Sequence, residues 1–215
     1  GVEAPAALTA KLAEGKMLDD GEMAILGAPA VAEKLAEGKM LDEADMATLK
    51  KAEELVAYGL GGSYAPSLAK HAGDHLTADE FHKAMAATPE EGAPPTVVID
   101  VRNAYESVIG HFAPPQASAC KLIDPKMRNS RDFPNWLRLP ETQKQLQGKR
   151  VLMYCTGGIR CERASALLNQ VQEECPDFKT NGVFELQGGI ERYLKTYPAG
   201  GLWKGKNYLF DRRRE

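Results

Sequence analysis

The sequence predicts an α/β protein: a parallel sheet flanked by helices, preceded by an all-helical repeat segment. Three observations predict it. From about residue 75 onward, short β-branched or apolar runs alternate with helical patterns. Two of the strand candidates lead into Gly-Gly turns, Gly157-Gly158 and Gly188-Gly189, and then into helices. The first 58 residues repeat themselves with helical spacing. Strands that alternate with helices form a parallel sheet covered on both faces, and reactive groups gather at the carboxyl ends of its strands.

The elements follow in chain order. "AALTAKLAEGKMLDDGEMAIL" (6–26) and "AVAEKLAEGKMLDEADMATL" (30–49) align at an offset of 23 residues. Leu8/Leu12 and Val31/Leu35 lie four apart, as one helix face requires. Gly15 and Gly38 can close a helix, and Asp19 and Asp42 can cap the next. Residues 1–58 therefore read as two helical hairpins, either a packing extension or a docking arm for a protein partner. Residues 59–74, beginning "GLGGSYAPS", read as a linker, 75–198 as the main domain and 199–215 as a tail. Within the domain, Thr77 caps a helix in "HLTADEFHKAMAA" with Glu80 at its third position. "TVVID" (96–100) and "RVLMY" (150–154) are buried strands, and "ASACKL" (117–122) is a weaker strand candidate. "CERASALLNQVQEE" is a helix, and "GVFELQGGIERYLKTYP" repeats the plan of strand, turn and helix.

The totals narrow the function classes. The chain has 215 residues, 43% hydrophobic and 27% charged, with no apolar run long enough to span a membrane. No charged-then-apolar signal segment opens it, and Gly1 in place of methionine suggests a processed or excised chain. Four cysteines without a CxxC pair, and only four histidines, argue against a disulfide scaffold and a structural zinc site. We expect a reducing cytoplasmic setting, no metal and no organic cofactor. The net charge of −3 is uneven: residues 1–60 carry six Lys/Arg and twelve Asp/Glu, whereas residues 101–165 carry eleven and five. The second region suits an anion, either a small oxyanion or a phosphate backbone.

Cys155 closes the strand "RVLMY" and stands at the head of "CTGGIR". A thiol attacks as its thiolate, and an ordinary cysteine has a pKa of about 8.5. In a tight turn feeding a helix, the N–H groups of Thr156, Gly157, Gly158, Ile159 and Arg160 can converge on one anionic sulfur. The Arg160 side chain can clamp an anionic donor beside it. The alternative is a strand-end cysteine that only fills the core.

"DVRNAYESVIGHF" (100–112), "YCTGGIRCERAS" and "VFELQGGIERYL", in this order, resemble the rhodanese superfamily across roughly residues 75–197. The resemblance implies that Cys155 carries sulfur as a persulfide. It makes Arg102 and Glu106 architectural ion-pair residues and His111 structural. Related phosphatases have a loop one residue longer, so the six residues from Cys155 to Arg160 favour a single sulfur atom over phosphate. "ELVAYGL", "HLTADEFH", "RDFPNW", "LQGGIERYL" and "LWKGKNYLFDRR" extend the resemblance to bacterial tRNA uridine hydroxylases and their eukaryotic rhodanese-domain relatives, from about residue 54 to 213. It implies wobble-uridine hydroxylation by the cysteine matching Cys155. The ferredoxin-like domain and cysteine-rich extension of those proteins have no counterpart in the sequence at hand, where the helical repeat stands in front.

Cys161 can resolve an oxidised or persulfidated Cys155, or pack at the helix start. Cys120 and Cys175 read as structural. By the resemblance, Arg128, Arg131 and Trp136 lie beside the site's mouth, where they can bind an anion, stack on a base or simply be solvated and packed. Arg163 can extend the positive mouth or pair locally, and Arg212–Arg214 read as a solvated tail. The leading expectation is a sulfurtransferase that takes sulfur from a thiosulfate-like anion onto Cys155 and hands it to a thiol. The alternatives are tRNA modification by the same cysteine and a non-catalytic adaptor that docks through residues 1–58.

Overall fold

A computed structural model describes residues 68–208. The expected helical repeat (1–58) and its docking role lie outside these residues, as do Arg212–Arg214. The described chain begins with one helical turn, α1 (Leu68–His71), followed by strand β1 (Asp74–Leu76) and helix α2 (Ala78–Ala86). Strand β2 (Thr96–Asp100), the short α3 (Ala104–Ser107), β3 (Gly110–Phe112) and β4 (Cys120–Ile123) come next. Helices α4 (Asp132–Arg138) and α5 (Pro140–Leu146) lead to β5 (Arg150–Tyr154) and the long α6 (Ile159–Glu174). Strand β6 (Val183–Leu186), α7 (Gly189–Thr196) and β7 (Trp203–Gly205) close the fold.

Five strands form a parallel sheet in the order β1-β6-β5-β2-β4. The interior strand β2 is buried along its whole length, which is why "TVVID" lacks the polar alternation of a half-exposed strand. Its side chains alternate between two cores. Val97 and Ile99 join Val151, Met153 and the apolar faces of α4 and α6, while Val98 joins Leu152, Tyr154, Phe81 and Tyr193 on the other side. Helix α2 starts as expected: Thr77 Oγ1 accepts from the Glu80 N–H (3.3 Å), and Glu80 Oε2 accepts from the Thr77 N–H (2.9 Å).

Two boundaries differ from those read in the sequence. Residues 68–74, assigned to the linker, already supply α1 and the first residue of β1, and β1 is an edge of the sheet. Residues 203–205, assigned to the tail, pair antiparallel with β3. Burial drives the second: Trp203 is covered, with its ring 5.2 Å from that of Phe112.

Candidate active site

Cys155 follows the last residue of β5 on the face covered by α6, in the same core as Met153 and Cys161. Cys155 is 1% exposed, because α6 folds directly over the strand end. The turn at Gly158 makes this possible. Its φ of +93° belongs to the left-handed region, so the chain reverses within three residues and enters α6. The Gly158 N–H then points back and donates to Cys155 Sγ at 3.1 Å. The open side of the loop is at Gly157, which is exposed and where an added Cβ would meet no atom within 4 Å.

Helix α7 fixes the other side of the loop. Its Ile190 and Glu191 amides donate to the carbonyl oxygens of Cys155 (3.0 Å) and Thr156 (3.1 Å). A trans peptide sets C=O and N–H in opposite directions, so the Thr156 and Gly157 amides are turned away from α7. Gly189, with φ +61°, leaves no room for a side chain: an added Cβ would collide with Thr156 O, Cys155 O and Gly158 N. The second Gly-Gly turn is therefore part of the site, a role the sequence marked only as a repeated Gly-Gly signal.

Arg160 takes up a position different from an open anion clamp. Its Nη1 and Nη2 donate to Glu106 Oε2 (2.7 Å) and Oε1 (2.8 Å), and Nη2 also reaches Thr156 Oγ1 at 3.1 Å. A planar fork on a carboxylate is the geometry guanidinium favours. Glu106 is fully buried, which alone would raise its carboxyl; the Arg160 fork, the Asn103 amide and Arg102 outweigh burial and hold it below the usual range. Arg102 forms its own buried fork, with Nε and Nη2 on Asp100 at 2.9 and 2.7 Å and Nη2 also on Gly110 O. Tyr154 Oη donates to the same Asp100 at 2.7 Å. His111 Nδ1 lies 3.2 Å from the Ser107 carbonyl oxygen.

The electrostatics of Cys155 decide what the loop can do. Burial pushes its thiol up, but the Cys161 thiol, the Arg160 charge and the Cys161 and Gly158 amides together bring it down to about 6. Cys161 goes the other way: burial, then the neighbouring sulfur, push it well above the ordinary thiol range. The two buried thiols are thus driven in opposite directions, Cys155 toward its thiolate and Cys161 away from it. Both are free.

The remaining sequence candidates lie apart from this cluster or inside the core. Arg128 and Arg131 are exposed between β4 and α4, where Asp132 Oδ2 accepts from the Arg128 amide and Asn129 Oδ1 from the Arg131 amide. Trp136 is partly buried, 5.6 Å from the ring of Phe133. Arg163 is 3% exposed, so it does not extend an open mouth. Sequence reasoning missed Glu185, buried on β6 under α6: it lies within "VFELQGGIERYL", read only as a strand and turn.

A parallel sheet in which an interior strand ends in a cysteine loop, seated on the start of the next βα unit, is the arrangement expected of a rhodanese-type domain. Residues 77–196 match the Rhodanese-like domain family, and the chain belongs to it. It is 39% identical over 167 residues to Rhodanese-like domain-containing protein 6 of Arabidopsis thaliana, covering 77% of this chain and 27% of that protein. It is 42% identical over 142 residues to the tRNA uridine(34) hydroxylase of Bacillus cytotoxicus (66% and 37%). The protein of the same name from Rickettsia typhi is 40% identical over 119 residues (55% and 42%). The chain thus spans less than half the length of each of these relatives. A solved Saccharomyces cerevisiae homologue of single-domain rhodanese and Cdc25 phosphatase catalytic domain is 22% identical, covering 66% of this chain and 91% of that one, with a TM-score of 0.44.

Proposed function

We propose that this domain acts in tRNA modification, hydroxylating uridine 34, with Cys155 as its reacting nucleophile. The observation that carries this reading is the Cys155 loop at the end of β5, where the Gly158 N–H donates to Sγ at 3.1 Å. The tRNA part is supported by the relatives named tRNA uridine(34) hydroxylase at 40–42% identity. Thr156, Gly157, Gly158 and Ile159 form the wall that a substrate meets, and Gly157 is its open side. Arg160, engaged by Glu106, acts by charge on the sulfur. Lys126, Arg128 and Arg131, exposed on one segment, supply phosphate contacts. The test is nucleoside mass spectrometry of tRNA from cells lacking the protein. Hydroxylated uridine at position 34 should fall, and should return with the wild-type chain but not with Cys155→Ser. An unchanged nucleoside pool discards the reading.

A second reading, sulfur transfer through a Cys155 persulfide, is supported by the Gly158 N–H, which meets the enclosed sulfur at 3.1 Å. Incubation with thiosulfate followed by intact mass measurement tests it. Failure of wild type to gain one sulfur, or equal gain by Cys155→Ala, rules it out.

A further inference from the structure

Of the four large hydrophobic side chains exposed among the described residues, three fall within residues 105–109, on α3 and the turn into β3: Tyr105, Val108 and Ile109. Tyr105 is 49% exposed and belongs to neither core. Its ring makes a T-shaped contact with that of Tyr208, centroids 5.5 Å apart at 75°, and its hydroxyl accepts from Asn103 Nδ2 at 3.4 Å. A T-shaped pair leaves at least one face of the Tyr105 ring uncovered by its partner. A flat apolar face is thus held out from a fixed helix, where burial in the core would have cost less.

The bonds on either side of Tyr105 say what lies next to it. The Ala104 amide donates to Met127 O at 2.7 Å, and Met127 stands between the exposed Lys126 and Arg128, with exposed Arg131 on the same loop. Glu106 carries the Arg160 fork, and its Oε1 accepts from Thr156 Oγ1 at 3.4 Å, one residue beyond Cys155. Tyr105 therefore sits between a residue bonded to the basic loop and a residue bonded to the cysteine loop. Past the turn, Ile109 O accepts from the Lys206 amide at 3.0 Å, and Lys204 and Lys206 are exposed beside it. The carboxylates nearby do not cancel these cations. Glu106 is buried on Arg160, Asp124 accepts from Ser107 Oγ and the Lys126 amide, and Asp132 accepts from the Arg128 amide.

An exposed aromatic ring flanked by cations suits a strand that alternates phosphates with flat bases. Unpaired bases stack on such rings whatever their sequence, while the phosphates meet Lys and Arg; in a duplex the base faces are already taken. We propose that Tyr105 is a stacking platform for an unpaired base of a single-stranded RNA, the neighbour of the base presented to the Cys155 loop. The Lys126–Arg131 loop takes the phosphates on one side and Lys204 and Lys206 those on the other. The inference deepens the proposed function and rests on its reading of the substrate as RNA.

The test is fluorescence anisotropy with the full chain and a short, unstructured, end-labelled RNA containing uridine, read as single strand and as duplex over a salt series. Wild type should bind the single strand more tightly than the duplex. Tyr105→Ala should weaken single-strand binding by roughly 5- to 100-fold, and Tyr105→Phe should stay within about twofold of wild type, since stacking needs the ring and not the hydroxyl. Tyr105→Ala removes no charge, so the slope of affinity against salt should be unchanged, whereas Arg128→Ala with Arg131→Ala should flatten it. A ring needed only for structure would not be replaced by phenylalanine for binding alone; equal losses in Tyr105→Ala and Tyr105→Phe overturn the proposal. Wild-type affinity in Tyr105→Ala overturns it as well, as does a wild type that prefers duplex or binds neither RNA. A wild type that sediments as a dimer and becomes monomeric in Tyr105→Ala assigns the patch to a second copy of the chain, and overturns it too. These readouts involve no chemistry at Cys155. Stacking that depends on Tyr105, with uridine 34 unchanged in cells lacking the protein, keeps this inference and discards the proposed reaction; loss of hydroxylated uridine 34 with unaltered binding by Tyr105→Ala does the reverse.

Discussion

Cys155 is pulled in two directions by its surroundings, and the balance sets its chemistry. Enclosure under α6 opposes ionisation, while one thiol donor, two amides and the Arg160 charge favour it. Removing the thiol donor with Cys161→Ala should move the midpoint of the pH dependence of iodoacetamide alkylation upward from about 6. The same shift links to stability. Because the folded thiol lies below the ordinary value of about 8.5, its ionisation stabilises the fold fully above that value, and that contribution is lost as pH falls through about 6. Cys155→Ser should therefore cost more stability at pH 9 than at pH 5, as urea unfolding at the two pH values will show. Cys155 and its loop were legible in the sequence because an apolar strand running into Cys-Thr-Gly-Gly is a local pattern. The Arg160–Glu106 fork and Glu185 were not readable as site geometry, since their partners come from elements 20 to 54 residues away.

At the scale of elements, the active loop belongs to two βα units rather than one. The first turn of α7 donates to the loop's carbonyls, and that seating depends on Gly189 having no Cβ. Gly189→Ala should displace the 155–158 loop and raise the Cys155 alkylation midpoint, with a stability loss of about 1–3 kcal/mol from the left-handed backbone and the collision. Thr77→Ala, by contrast, removes only the cap of α2 and should cost about 1 kcal/mol in urea unfolding with Cys155 titration unchanged. Strands β2 and β5 were evident from their uninterrupted apolar runs. β1 ("DHL") and β7 ("WKG") were not, because three residues carry no measurable period and each becomes a strand only against its neighbour.

For the whole molecule, the connection between sheet and ribbon is the Arg102 cluster. Arg102 is fully buried between Asp100, Gly110 O and the rings of Tyr154 and Trp203, at 5.5 and 5.2 Å. It joins the ends of β2 and β5 to the β3–β7 ribbon. Arg102→Ala leaves Asp100 buried without its partner and should destabilise the protein by about 3–5 kcal/mol, measured by denaturant titration. Surface charge acts differently. If the proposed tRNA reading holds, Arg128→Ala together with Arg131→Ala should leave stability unchanged, weaken tRNA binding and flatten its salt dependence in a gel-shift series.

The sequence by itself determined the class of this protein: the parallel sheet, the capped and glycine-started helices, and the cysteine at the head of its loop. These follow from hydrophobic period, capping chemistry and backbone freedom, all written within a few consecutive residues. Tertiary structure alone decided that the sulfur is enclosed, that Arg160 serves Glu106, that α7 carries the loop, and that a carboxyl on β6 is buried under α6. Burial and charge coupling depend on which distant segments pack together, and no local pattern encodes that.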